Sequence, residues 1–143
     1  MFQSSHAGEI VRSALLLTAC LVLAPELWIL SAQDVPQIAG TWRGDSVCAV
    51  PNTPCRNEVN VYRFSEIPGK ANRFSCTAAK IVGGKEIVMG RDEWTYDVAK
   101  HMLQTVAPNP TIRLVLNHDI LDGALVLPDS TIYRRIHLKK STD

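Results

Sequence analysis

The sequence predicts an all-β protein: a single antiparallel, eight-stranded, up-and-down β-barrel that follows an N-terminal signal peptide. Three observations carry that expectation. Beyond residue 32 no stretch holds a helical period over three turns, and short segments rich in Val, Ile, Thr, Tyr, Phe and Trp alternate with turn residues. The spacing of those segments is mostly that of hairpins, which favours a meander over the long crossings of a sandwich. A meander of eight strands that closes on itself leaves no edge open to another chain.

The first 32 residues read as a leader. Arg12 precedes an apolar stretch from Ala14 to Leu30, and Ser31-Ala32 supplies small residues for cleavage after Ala32. Pro25-Glu26 interrupts the stretch, which argues against a spanning helix of about twenty uninterrupted apolar residues. Lipidation is a competing reading, because Leu17-Thr18-Ala19-Cys20 has the form of a bacterial lipobox. The residues that follow, Leu21 to Ala24 and Leu27 to Leu30, are apolar where a lipoprotein continues into a polar tether. The expected division is therefore 1–32 signal peptide and 33–143 barrel. The expected location is secreted or periplasmic, with no stable membrane span once the leader is removed.

From Gln33 onward each segment has its own signal. Gly40 to Val50 opens the barrel, and Glu58 to Ser65 follows with Val59, Val61, Tyr62 and Phe64. Pro68-Gly69 marks a turn in which glycine supplies positive φ. Arg73 to Val82 runs to Gly83-Gly84, a tight-hairpin pair. Glu86 to Gly90 and Glu93 to Val98 are expected as two strands; the charged cluster Arg91-Asp92-Glu93 between them is expected as a solvated turn, with the polar rim of a binding mouth as the alternative. His101 to Val106 is expected as a further strand, in preference to a short helix over Val98 to Val106. It stops at Pro108-Asn109-Pro110, since proline cannot donate to a ladder. Thr111 to Asn117, Leu121 to Leu127 and Thr131 to Lys139 bring the segments to eight or nine, of which the barrel is expected to use eight, with Pro128-Asp129-Ser130 as the last turn.

Charge excludes one function class. The chain has 15 Lys and Arg against 14 Asp and Glu. Removing Arg12, Glu9 and Glu26 with the leader leaves a net charge near +2. The basic residues are scattered, so no phosphate-binding face is expected and nucleic acid is not a predicted partner. Cys48 and Cys55 flank the turn-forming Pro51-Asn52-Thr53-Pro54. A turn there brings the two thiols to bonding distance and predicts a Cys48–Cys55 disulfide, with Cys76 left over and buried. A Cys48–Cys76 bridge between neighbouring strands is the alternative. No CxxC or HxxxH occurs, so neither a metal nor any other cofactor is predicted.

Gly40 and Trp42 at the start, and the pair Arg134-Arg135 at the end, give the chain a family resemblance. It resembles the lipocalin-like (calycin) barrels, in which a Gly-x-Trp opens the first strand and an arginine of the last strand packs over the tryptophan. The resemblance implies that Gly40, Trp42 and Arg134 close the barrel. Alternation selects Arg134, because Ile132, Arg134, Ile136 and Leu138 share one face of the last strand. A guanidinium stacked on an indole keeps its hydrogen-bonding edge free. The segment from Gly40 through Cys48 and Cys55 also looks like small secreted bacterial proteins, and the chain is similar in size to the periplasmic metalloprotease inhibitors. The latter would make Gln33 to Gln37 an arm for a protease cleft.

No residue pattern predicts catalysis. Asn117-His118-Asp119 with Asp122 is the densest polar group, but Asn, Asp and Gly between apolar strands build turns. Asp92 and Glu93 alternate to opposite faces, which makes them poor partners in acid–base work. His101 and His137 stand in separate strands without a third ligand. No Gly-x-Ser-x-Gly occurs. The expected function is therefore binding, without enzymatic activity. A small apolar or amphipathic ligand would sit in the barrel mouth against Tyr62, Phe64, Trp94 and Tyr96. The alternative is an interaction module acting through its N-terminal arm, with an unknown protein partner. Trp42, Phe74, Met89, Leu114, Leu116, Leu125 and Ile136 are further candidates for the interior, and in so short a chain most inward aromatics and aliphatics are expected to fill a core.

Overall fold

A computed structural model of the chain describes residues 36–142. The expected signal peptide, Cys20 and residues 33–35 of the expected arm lie outside the described residues. Eight strands follow in order: β1 (Gly40–Cys48), β2 (Glu58–Glu66), β3 (Arg73–Val82), β4 (Lys85–Asp97), β5 (Met102–Thr105), β6 (Thr111–Asn117), β7 (Ile120–Val126) and β8 (Ile132–Lys140). Each pairs antiparallel with the next, and β8 pairs with β1, so the barrel is closed. Eight strands leave an interior just wide enough for side chains or one small ligand.

The strands form where alternation is clearest. In β8, Ile136 and Leu138 are buried while Arg135, His137 and Lys139 are exposed. In β6, Leu114 and Leu116 point inward between exposed Arg113, Val115 and Asn117. The inward set meets in one core of Trp42, Tyr62, Phe64, Phe74, Trp94, Tyr96 and the leucines of β5 to β8. The His118-Asp119 turn between β6 and β7 is a two-residue hairpin with His118 at φ 56°, the left-handed backbone such turns demand.

One strand assignment needs correction. Glu86 to Gly90 and Glu93 to Val98 belong to a single 13-residue strand, β4. Arg91 and Asp92 are not a turn; they pair with Thr77 and Cys76 in an unbroken ladder. The irregularity falls earlier, at a bulge opposite Ala78 and Ala79 that absorbs Met89. Charge is tolerated here because Arg91 faces solvent and Asp92 faces the wet end of the barrel.

Two glycines let neighbouring strands approach where a side chain would not fit. A Cβ on Gly44 would lie 2.0 Å from the His137 carbonyl oxygen, and one on Gly123 would lie 1.8 Å from that of Arg113. At these two places the backbone of the neighbouring strand comes too close for any side chain.

The two barrel ends differ. At one end Ile38 plugs the core, and the Trp42 indole donates from Nε1 to the Ile38 carbonyl at 2.8 Å. At the other end stands the β1–β2 loop, closed by the Cys48–Cys55 disulfide. Cys76 is free and buried. The disulfide closes a short loop, so the chain-entropy estimate of its contribution is about 2.5 kcal/mol. A Cys48→Ala/Cys55→Ala double variant is expected to lose about that much in urea unfolding, and reductant should then have no further effect.

Candidate functional site at the barrel mouth

A cavity of about 190 Å³ opens at the disulfide end. Ser46, Glu58, Asn60, Tyr62, Asp92 and Arg134 supply its polar lining; Ala78, Met89, Gly90, Ile112, Leu125 and Ile136 supply the rest. Alternation in β2 sends Glu58, Asn60, Tyr62 and Phe64 inward, and alternation in β4 sends Asp92 to the side that carries Trp94. Both interruptions of strand register, at Ala78/Ala79 and at Leu125/Val126, fall at this end, where bulges re-aim side chains.

Arg134 organises the rim. Its Nη1 donates to the Ser46 carbonyl and to Ser46 Oγ, both at 3.2 Å, and its Nη2 donates to the Arg56 carbonyl at 2.9 Å. Glu58 lies 3.6 Å from Arg134 and 3.1 Å from Lys80. The guanidinium thus ties β8 to β1 and to the disulfide loop. This corrects the expected stacking on Trp42. Arg134 does face inward, but the register pairs it with Cys48, whereas Trp42 pairs with Lys140. Six residues separate the two levels, about 20 Å of strand. The cation over the indole is Lys140, with Nζ 5.3 Å from the ring centroid. Lys140 also donates to the Gln37 carbonyl, so the last described residues of the N-terminal arm are held at the closed end, away from the mouth.

Of the four aromatics expected to line a ligand, one reaches the cavity. Tyr62, Phe64 and Trp94 pack edge to face, with centroids 5.3 to 6.3 Å apart, and all are buried. Phe64, Trp94 and Tyr96 are core; only Tyr62 is at the cavity wall. Of the further candidates, Met89, Leu125 and Ile136 also line it. Burial keeps the Tyr62 phenol protonated far into the alkaline range; Cys76 acts in the same direction and Arg134 opposes it.

The residue that sequence reasoning missed is Asn60. It is 2% exposed, and its Nδ2 has no hydrogen-bond partner among the described residues. A buried amide left so costs about 1–3 kcal/mol. The signal was available: Asn60 is the one amide on the inward face that Tyr62 and Phe64 share. Glu58 and Asp92 were equally readable as inward carboxylates.

The other polar groups go elsewhere. His118 bonds Asn117 in an exposed turn, His137 bonds Asp122 on the outer face, and His101 contacts the Tyr96 hydroxyl. Among the described residues no group of three or more His, Cys, Asp or Glu is placed to hold a metal ion. No described helix is long and apolar enough to cross a membrane. Two wider depressions lie outside the barrel, over the β2–β3 turn and over β1, β7 and β8. Neither contains an unpartnered buried polar side-chain atom among the described residues.

Burial, reinforced by the charge of Asp92, pushes the Cys76 thiol up to about 12 from its ordinary 9.0. The folded state therefore keeps a proton that the unfolded chain releases. The stability this represents is complete below pH 9.0 and is lost as pH rises toward about 12. Iodoacetamide at pH 8 is expected to leave Cys76 unmodified in the folded barrel and to alkylate it in guanidinium; labelling of the native protein at the denatured rate would contradict this placement.

In comparisons with known proteins, no protein-family model matches the chain and no curated protein does.

Proposed function

We propose that the protein is a secreted or periplasmic binding protein without enzymatic activity, which takes a small amphipathic molecule into the barrel mouth. Asn60 carries the reading. Asn60 lines the cavity, and its buried amide donor is left without a partner among the described residues, which is unfavourable for the free protein. It is accounted for if a ligand oxygen completes it. The walls suit such a molecule, with apolar side chains on one part and a few convergent polar groups on another. The eight-stranded closed barrel is the architecture of the lipocalin-like carriers, and a disulfide is in keeping with an oxidising compartment.

Asn60→Leu separates binding from folding. It replaces an unsatisfied amide by an apolar group of similar size, so the free protein should gain about 1 kcal/mol in denaturant unfolding. Native mass spectrometry should at the same time lose a non-covalent adduct that the unaltered protein carries. A variant that is less stable, or that keeps the adduct, would remove the support for this reading.

A further inference from the structure

We propose that the ligand is a small organic cation: an ammonium group at Asp92, an acceptor oxygen on Asn60 Nδ2, and an apolar body about the size of one aromatic ring. The inference rests on the mouth being a binding site and adds the chemical class of what binds there.

Size comes first. A cavity of about 190 Å³ is small for a ligand pocket, which more often spans about 300–1,000 Å³. A buried apolar cavity of about 150 Å³ holds benzene. The site therefore accommodates a single ring with a short substituent and excludes long acyl chains.

Charge comes second. Three charged side chains line the cavity, Glu58, Arg134 and Asp92, and Lys80 joins them through Glu58. Glu58 is neutralised twice, by Arg134 and by Lys80. Arg134 has most of its donors committed to Ser46 and Arg56, so it offers little to an anion. Asp92 has no ion-pair partner among the described residues, although Arg91 is its neighbour in sequence; alternation sends Arg91 outward, where its Nε donates to Thr77. With Lys80 counted the four charges sum to zero, but Asp92 is the one that stands outside the ion-pair network, and an ammonium there would gain a charge-assisted hydrogen bond.

Placement comes third. Asp92 is exposed, so a cation there keeps part of its hydration, while Asn60 is buried and asks for an acceptor where water is excluded. Ile112, Leu125 and Ile136 supply apolar wall for the body of the molecule. An anionic ligand would meet the same Asp92 as a repulsion, which gives the site its discrimination.

The test is calorimetric titration at low salt with three probes of one shape: tyramine, the neutral 4-ethylphenol and the anionic 3-(4-hydroxyphenyl)propionate. Tyramine is expected to bind about tenfold more tightly than 4-ethylphenol, as a charge-assisted hydrogen bond supplies, and the anion most weakly. Asp92→Asn, at an exposed position without an ion-pair partner, should erase the preference for the amine over 4-ethylphenol; circular dichroism checks that the barrel persists. If 4-ethylphenol binds as tightly as tyramine, the cation is overturned while the binding site stands. If none of the three binds at millimolar concentration, the cation and the mouth site are both overturned.

Discussion

Replacing Trp42 by alanine is expected to lower the stability of the barrel by about 4 kcal/mol, the cost of deleting a fully buried large aromatic. That is a large share of the 5–15 kcal/mol a domain typically has. The reason lies in what the indole joins. It belongs to the hydrophobic core, its N–H satisfies the Ile38 carbonyl that plugs the closed end, and Lys140 of β8 lies over its face. The series Trp42→Ala, Trp42→Phe and Lys140→Met should fall in that order of cost. The phenylalanine keeps most of the packing and leaves one carbonyl unpaired, about 1–2 kcal/mol. The methionine removes a cation–π contact worth about 0.5–1 kcal/mol near the surface. Arg134→Met should behave differently, loosening the disulfide loop at the mouth without disturbing the closed end. Denaturant unfolding monitored by tryptophan fluorescence, with hydrogen exchange to locate the loosened region, distinguishes the cases.

Gly123→Ala is expected to be comparably damaging, at about 3 kcal/mol or more. The added methyl would meet the Arg113 carbonyl oxygen and the Leu114 Cα at 1.8 and 2.9 Å. Both are backbone atoms of the paired strand β6, so nothing can swing aside and the two strands must part. Gly44→Ala repeats the experiment at the β1–β8 seam, against the His137 carbonyl. Gly90→Ala is the control: nothing lies within 4 Å of a Cβ there, and its effect should stay below about 1 kcal/mol. Equal tolerance of alanine at all three positions would show that the close approach of the strands does not constrain the barrel.

Much of the fold was legible because the barrel's geometry is local. Period-two alternation and the Gly, Pro and Asn turns located the strands, and short hairpins joined in series leave closure as the way to remove edges. The Pro51-Asn52-Thr53-Pro54 turn identified the disulfide. Two features were not legible, for different physical reasons. Arg91-Asp92 resembles a turn because charged pairs usually need solvent, yet within β4 one side chain reaches solvent outside the barrel and the other reaches it at the mouth. The partner of Trp42 was misjudged because alternation gives the face of a residue but not its level. Arg134 and Lys140 share the inward parity of β8, and only the stagger of the β1–β8 register decides which of them meets the indole. In the candidate site, large aromatics drew attention although they fill the core. The informative residue is a buried polar one, Asn60, because a polar side chain on an apolar face must be satisfied or functional.

A high-resolution crystal structure of the protein purified under non-denaturing conditions tests the ligand role of the mouth most directly. Density for a small organic molecule within hydrogen-bonding distance of Asn60 Nδ2 is the expected result. An Asn60 amide satisfied by the protein itself, in a mouth holding nothing but water, would contradict it.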